Sequence, residues 1–267
     1  MKRKGIYKPT IEDIIEISGI EALHPGGMAL TQRTGKLAEL KPGMKVLDVS
    51  SGRGTQSIFY AKEFGVEVIG IDISEEMVKS AMKNAKIENV QDITKFEIGD
   101  SQELPFEDNV FDVVINECAV GIPDDSQKVL NEMVRVVKKG GTIIIHESTW
   151  RKKLSDTDKE EISERYGTTP LEYDEWIEML QNAGVSEIIT EFDKWSKPEM
   201  FWKIRKDREV EDYTKVLTRS ELSTTIQRVI DLYGDAGVKT ALLNQKKFWE
   251  KVLDGTLGYC LFKGIKR

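Results

Sequence analysis

The sequence predicts an α/β protein built on a doubly wound, mostly parallel sheet. Three observations predict it. Between Lys45 and Ile145, short apolar runs alternate with stretches of helical spacing. The connections between them are short. The runs are apolar nearly throughout rather than at every second position, as strands covered by helices on both faces must be.

Taken in order, Ile11, Ile14, Ile15 and Ile17 recur near helical spacing, so residues 1–24 read as a helical lead-in. His24-Pro25-Gly26-Gly27 breaks it, Met28 to Leu40 reads as a helix, and Pro42-Gly43 forms a turn. Lys45 to Val49 is a buried-strand run, and Gln56 to Phe64 a helix stopped by Gly65. Val66 to Ile71 is a second strand rich in β-branched residues. Ser74 is the N-cap of the next helix, with Glu75 and Glu76 suited to its dipole, and this helix runs to about Lys86. Ile93 to Ile98 and Val110 to Asn116 are strands three and four. Ser126 to Val137 is a helix carrying Val129, Met133 and Val137 on one face, ended by Gly140-Gly141, and Thr142 to Ile145 is the fifth strand. Beyond it, Ser155 to Arg165 and Tyr173 to Ala183 read as helices, Val185 to Phe192 as a strand, Lys197 to Asp254 as mostly helical, and Gly258 to Ile265 as a last strand.

The chain has 267 residues, a formal charge of −7 and 32% charged residues, a globular composition. The acidic balance repels phosphate backbones, so no nucleic-acid partner is expected. No stretch reaches the roughly 20 apolar residues of a membrane span, and no membrane partner is expected. Met1 to Thr10 has charge without an apolar run behind it, so a secretory signal is not expected either. Cys118 and Cys260 lie far apart and form no CxxC or Cys/His cluster, which argues against zinc. These features together point to the cytoplasm.

The chemistry concentrates where strands end. Asp48-Val49-Ser50-Ser51-Gly52-Arg53-Gly54-Thr55 joins the first strand to a helix. Small residues there let the backbone approach a ligand, and the helix start offers N–H groups and positive potential, although such turns also serve as plain tight connections. Asp72 ends the second strand, where doubly wound sheets hold ribose hydroxyls, and Ser74 as the better cap leaves it available. Asp100-Ser101 and Asn116-Glu117 end strands three and four. Ligands in such sheets bind outside the carboxyl ends of the strands. A nicotinamide dinucleotide fits poorly: its fingerprint G-x-G-x-x-G would need glycine where Ser57 stands.

In these residues the sequence resembles the class I S-adenosylmethionine (SAM)-dependent methyltransferases, of the group that methylates small molecules. The resemblance rests on Val46 to Gly54, Gly70 to Ser74, Gly99 to Phe106, Phe111 to Val114 and Glu132 to Gly141, five motifs in order, and covers about residues 37–192. It implies a Rossmann-like methyltransferase fold with a seven-stranded sheet whose last two strands are an antiparallel pair. It implies SAM as cofactor, held by Asp48, Ser50, Gly52, Gly54 and Thr55 of the loop. Gly52 and Gly54 would line the methionine portion and Asp72 the ribose, with Ile73 and Met77 against the adenine. Asp100 would bond the adenine amino group beside Ser101, and Asn116 and Glu117 would lie under the sulfonium and the acceptor. Ser50 departs from the family's usual glycine and requires a backbone angle a serine can tolerate.

Methyl transfer is an in-line displacement, for which the protein supplies proximity, alignment and, where needed, a base; no metal is expected. His146 and Glu147 follow the fifth strand and are base candidates together with Glu117; wall packing of His146 and a surface pair for Glu147 are the plain alternatives. His24 either lines the site or serves its turn. Cys118 follows the fourth strand and could face the acceptor; relatives that methylate arsenic use several cysteines, so two argue against a metalloid acceptor. Trp150 and Trp202 either line an acceptor pocket or dock a cap.

The expected organisation is a helical lid segment over residues 1–36, a SAM-binding core over 37–196, a helical cap inserted over 197–255, and the last strand of the core over 256–267. The expected function is methyl transfer from SAM to a small-molecule acceptor. The alternative is a non-catalytic SAM-binding regulatory or assembly protein. The sequence leaves the oligomeric state open.

Overall fold

A computed structural model describes residues 9–20 and 24–267; the remainder of the expected lead-in lies outside the described residues. In chain order the elements are α1 (Ile11–Ser18), α2 (Gly27–Leu37), β1 (Lys45–Val49), α3 (Thr55–Phe64), β2 (Glu67–Asp72), α4 (Glu75–Ile87), β3 (Thr94–Ile98), β4 (Phe111–Glu117), α5 (Ser126–Val136) and β5 (Val137–Trp150). They continue with α6 (Asp156–Tyr166), β6 (Leu171–Glu172), α7 (Tyr173–Asn182), β7 (Val185–Glu191), α8 (Pro198–Trp202), a 3-10 turn (Tyr213–Lys215), α9 (Arg219–Leu253) and β8 (Leu257–Lys266). The chain divides into two compact units. A sheet unit comprises Met28–Glu147, Tyr173–Phe192 and Cys260–Arg267; a helical unit comprises the described residues up to Gly27, Ser148–Glu172 and Asp193–Tyr259.

The sheet unit carries the strand order β3-β2-β1-β4-β5-β8-β7. Strands β3 to β5 in this order pair in parallel, and β7 pairs with β8 antiparallel. This is the expected doubly wound arrangement with its antiparallel end. Val46, Leu47 and Val49 of β1, and Val113, Val114 and Ile115 of β4, are buried, which is why these runs carry no polar alternation. Strand order reverses between β1 and β4, so the carboxyl ends of β1, β2 and β4 flank the switch point where ligands bind in such sheets.

Two local expectations change. Gly140-Gly141 does not end a helix. Helix α5 stops at Val136, and Val137 is already extended (φ −74°, ψ 146°). The glycines lie inside β5, where pairing with β4 shifts register between Phe111 and Val113. Gly140 has φ +73°, and a Cβ on Gly141 would stand 2.9 Å from the Asp112 carbonyl oxygen, so the pair builds a bulge rather than a stop. The region 197–254 is also less continuous than expected. Gly234 (φ 69°, ψ −176°) breaks α9 into two helical segments, and residues 203–218 are helical only at the 3-10 turn.

Within the helical unit, Asn244 donates to the Pro9 carbonyl (2.9 Å) and accepts from Arg165 (3.0 Å), tying α9 to α6 and to the chain before α1. Phe201, Trp202, Tyr213, Phe248, Trp249 and Tyr259 form a connected group of ring contacts. Strand β6 pairs in parallel with Thr149 and Trp150.

Arg135 of α5 explains the segment Gly99 to Phe106. Its guanidinium donates to the carbonyls of Leu104 (2.9 Å) and Phe106 (2.6 Å) and to Asp108 and Glu132, while Glu132 accepts from the Leu104 N–H. One side chain thus fixes the β3–β4 connection. Arg135→Met is expected to cost about 2 kcal/mol, because it strands carbonyls whose replacement partners must come from water. Urea denaturation measures it; a loss within error of zero would contradict this role.

Candidate active site

The turn after β1 is left-handed at three of five residues: Ser50 has φ +61°, Gly52 +53° and Gly54 +76°. The serine that departs from glycine is therefore accommodated in the conformation glycine favours, at a cost of about 1 kcal/mol. Gly54 cannot be exchanged so easily. A Cβ there would stand 2.7 Å from Phe96 Cζ and 2.9 Å from Ala81 Cβ. The turn is tied underneath by Ser51 N–H to the Ile71 carbonyl (2.9 Å). The Ser51 hydroxyl is buried without a hydrogen-bond partner among the described residues.

Asp72 joins two turns. Its Oδ2 accepts from Gly52 N–H (2.8 Å) and its Oδ1 from Ser74 N–H (2.9 Å). The Ser74 hydroxyl caps α4 through Met77 N–H, as expected, but this does not leave Asp72 idle. The carboxylate holds the loop after β1 in register with the start of α4, and each oxygen keeps a further lone pair. Beside it Ile73 is 71% exposed, an apolar side chain standing open at a strand end, while Met77 is buried. Asp100 accepts from Gln102 N–H (2.8 Å), and Ser101 is buried. Asn116 is fully buried; it donates to the Val49 carbonyl (3.1 Å) and accepts from Ala119 N–H (2.9 Å), clamping β1 to the turn after β4. Thr55 is the first residue of α3.

A buried polar cluster lies at the ends of β1 and β4 and within β5, which runs on to Trp150, so that His146 and Glu147 lie inside the strand rather than after it as expected. Glu117 Oε2 accepts from Thr31 Oγ1 (2.8 Å), and Glu117 Oε1 accepts from the Tyr60 hydroxyl. His146 Nε2 lies 3.5 Å from Glu117 Oε1 and 3.3 Å from Thr34 Oγ1. Burial, with the Glu117 charge and bond next, pushes the Tyr60 hydroxyl well above its ordinary range, so it stays a donor. Asp48 is also enclosed. Burial pushes its carboxyl up to about 7; the Ser57 hydroxyl, 2.5 Å away, opposes that, and the charges of Glu117 and Asp72 add to it. Glu147 Oε1 accepts from Val120 N–H (2.6 Å), and Cys118, at φ +70°, donates its N–H to the His146 carbonyl (2.9 Å).

The sheet unit thus brings together, at its carboxyl edge, every expected loop and cofactor residue along with Glu117, Cys118, His146 and Glu147. His24, Trp150 and Trp202 belong to the helical unit. There His24 is buried with Nδ1 3.1 Å from the Pro25 carbonyl oxygen. Trp150 is buried and its indole N–H has no partner among the described residues. Trp202 packs against Ile20, Ile204, Val210 and Val216. Sequence reading missed Thr31, Thr34, Ser57 and Tyr60. The signal was present as two polar pairs at i,i+3, each on one face of a short helix.

The family described as "Methyltransferase domain" matches residues 40–195. Phosphoethanolamine N-methyltransferase 3 of Arabidopsis thaliana is 28% identical over 181 residues, 68% of this chain and 36% of that protein, so the chain spans about a third of that relative's length. Among solved structures, the [4+2]-cyclase SpnF has a TM-score of 0.76 at 21% identity, covering 95% of this chain and 91% of that one. Phosphoethanolamine N-methyltransferase 2 of Haemonchus contortus has a TM-score of 0.71 at 21% identity, covering 95% and 57%.

Asp48 gives the fold a pH dependence. Its carboxyl sits near 7 when folded, against 3.8 for an unperturbed aspartate. The stability it contributes is full below about pH 4 and is lost progressively as pH rises to about 7. Glu12 of α1, pushed up to about 7 by burial and by Asp13 and Glu16, acts with the same sign. The melting temperature should therefore fall from pH 5 to pH 8. Asp48→Asn should flatten the part it owns while Glu12 stays common to both proteins. Parallel profiles in scanning fluorimetry would contradict the assignment.

Proposed function

The chain belongs to the methyltransferase-domain family, the class I SAM-dependent methyltransferases, and on that premise we propose that it transfers a methyl group from SAM to a small-molecule acceptor. The observation that carries the reading is Asp72. Its carboxylate is fixed by Gly52 and Ser74 at the switch point, with the exposed Ile73 beside it. A fixed carboxylate next to an open apolar side chain suits a nucleoside, hydroxyls on the one and a flat base on the other. The left-handed turn from Ser50 to Gly54 places two glycines without side chains after β1, which suits close approach of the methionine portion.

When bound, SAM supplies an electrophilic methyl group on a sulfonium. The chain's part is alignment. Asp72 and Asp100 orient the nucleoside, and Asn116 keeps the turn after β4 close to β1. Glu117, held by Tyr60 and Thr31, fixes a carboxylate beside His146. Such a carboxylate orients an imidazole, which suits His146 as acceptor of the proton a nucleophile loses. Glu147 shapes the wall through Val120, and Cys118 turns the backbone there. The acidic charge supports a small acceptor rather than nucleic acid. The same fold also carries a [4+2]-cyclase, so the methyl-transfer reading rests on the site rather than on the fold.

Calorimetry with SAM, followed by production of S-adenosylhomocysteine against a panel of amines, thiols, phenols and carbon acids, tests the reading. Tight binding with no acceptor methylated would make the chain a non-catalytic SAM-binding protein. Asp72→Ala should weaken SAM binding at least tenfold, since it removes the ribose anchor and releases Gly52; unchanged affinity would refute the placement. With an acceptor in hand, His146→Ala should lower kcat by about 10²-fold or more with little change in SAM affinity. Full activity would reduce His146 to packing.

A further inference from the structure

We propose that Asp48 gives up a proton when SAM binds, so that binding exchanges a cationic ligand for a proton at the carboxyl end of β1. The inference rests on the cofactor reading above and goes beyond it by assigning a charge state to the site. The geometry is a carboxyl group enclosed among acids. Asp48 is 2% exposed, and Ser57 Oγ of α3 is the hydroxyl on its Oδ2. The charges facing it are Asp72 from β2 and Glu117 from β4, and the Tyr60 hydroxyl faces it from α3. Among the described residues, the groups that act on it most strongly are the Ser57 hydroxyl and these two acids. Glu117 in turn is held by hydroxyls and by His146. Three carboxyl groups therefore converge at the switch point, and the most enclosed of them has the weakest claim to a charge. That burial pushes Asp48 up to about 7 agrees with the geometry.

SAM carries a sulfonium and an ammonium group, and a positive charge brought to this edge favours the ionised carboxylate. Only the Asp48 O–H bond breaks: the proton passes to buffer, the electron pair stays on the carboxylate, and no oxidant or reductant takes part. Proton release links affinity to pH. Where Asp48 is protonated in the free protein, binding tightens as pH rises, by up to tenfold per unit, and the dependence fades above the free protein's titration. Ser57→Ala removes the hydroxyl that favours the ionised form, so it moves that fading point to higher pH.

The experiment is titration calorimetry of the full chain with SAM at pH 6, in buffers of different ionisation enthalpy. The slope of observed enthalpy against buffer enthalpy counts protons. The expected result is release of about one proton at pH 6. Release should decline toward pH 7.5, persist to higher pH in Ser57→Ala, and be lost in Asp48→Asn. The dissociation constant of the wild-type chain, followed from pH 5.5 to 7.5, reads the same linkage should Asp48→Asn fail to fold. SAM binding with no buffer dependence and a flat affinity profile would overturn the proposal while leaving the cofactor reading intact. Release that persists unchanged in Asp48→Asn would overturn it as well. No binding of SAM to the wild-type chain at any pH would instead sink the cofactor reading itself.

Discussion

The Asp72 carboxylate is the constraint on which the rest of the site depends. One oxygen holds Gly52 of the turn after β1, and the other holds Ser74 at the start of α4. Neither turn has a regular ladder to set its shape. The first is left-handed at Ser50, Gly52 and Gly54, conformations that side-chain-bearing residues avoid and that must be imposed from outside. A charged acceptor for two backbone donors is a strong way to impose them. The bonds also align the ends of β1 and β2, and each oxygen keeps a lone pair beyond its backbone partner.

Behind this edge the unit keeps an unusual amount of polar chemistry out of water. Asp48, Glu117 and His146 are enclosed with Tyr60, Thr31, Thr34 and Ser57. Burying a carboxylate costs several kcal/mol unless donors surround it. Glu117 meets that condition through two hydroxyls and an imidazole. Asp48 meets it only in part, and its raised carboxyl is the consequence. The arrangement stores negative potential at the place where strand order reverses, which is chemistry suited to a cation.

Much of this was legible in the sequence. Strand and helix order followed from apolar periodicity because the central strands β1 and β4 are buried on both faces. The strand ends at Asp48, Asp72, Asp100 and Asn116 marked the carboxyl edge of the sheet, and the structure gathers them there. The role of Asp72 as a backbone brace was not legible, since a carboxylate accepting from two turns depends on how β1 and β2 align. Gly140-Gly141 misled because a glycine pair signals a helix stop and a strand bulge equally, and only the register with β4 distinguishes them. Tyr60 and Thr31 were missed because they are brought to Glu117 from distant helices; their i,i+3 pairings hinted at a polar face without naming its partner. The unit that holds His24, Trp150 and Trp202 is likewise set by tertiary packing rather than by local pattern.

The central claim is that the fixed carboxylate of Asp72 and the open side chain of Ile73 receive a nucleoside. A crystal structure of the full chain with S-adenosylhomocysteine bound tests it most directly. The account predicts ribose hydroxyls within hydrogen-bond distance of Asp72, the adenine against Ile73 and Met77, and the Gly52 and Ser74 bonds retained. A nucleoside bound elsewhere, or an Asp72 carboxylate that makes no contact with it, would contradict the account.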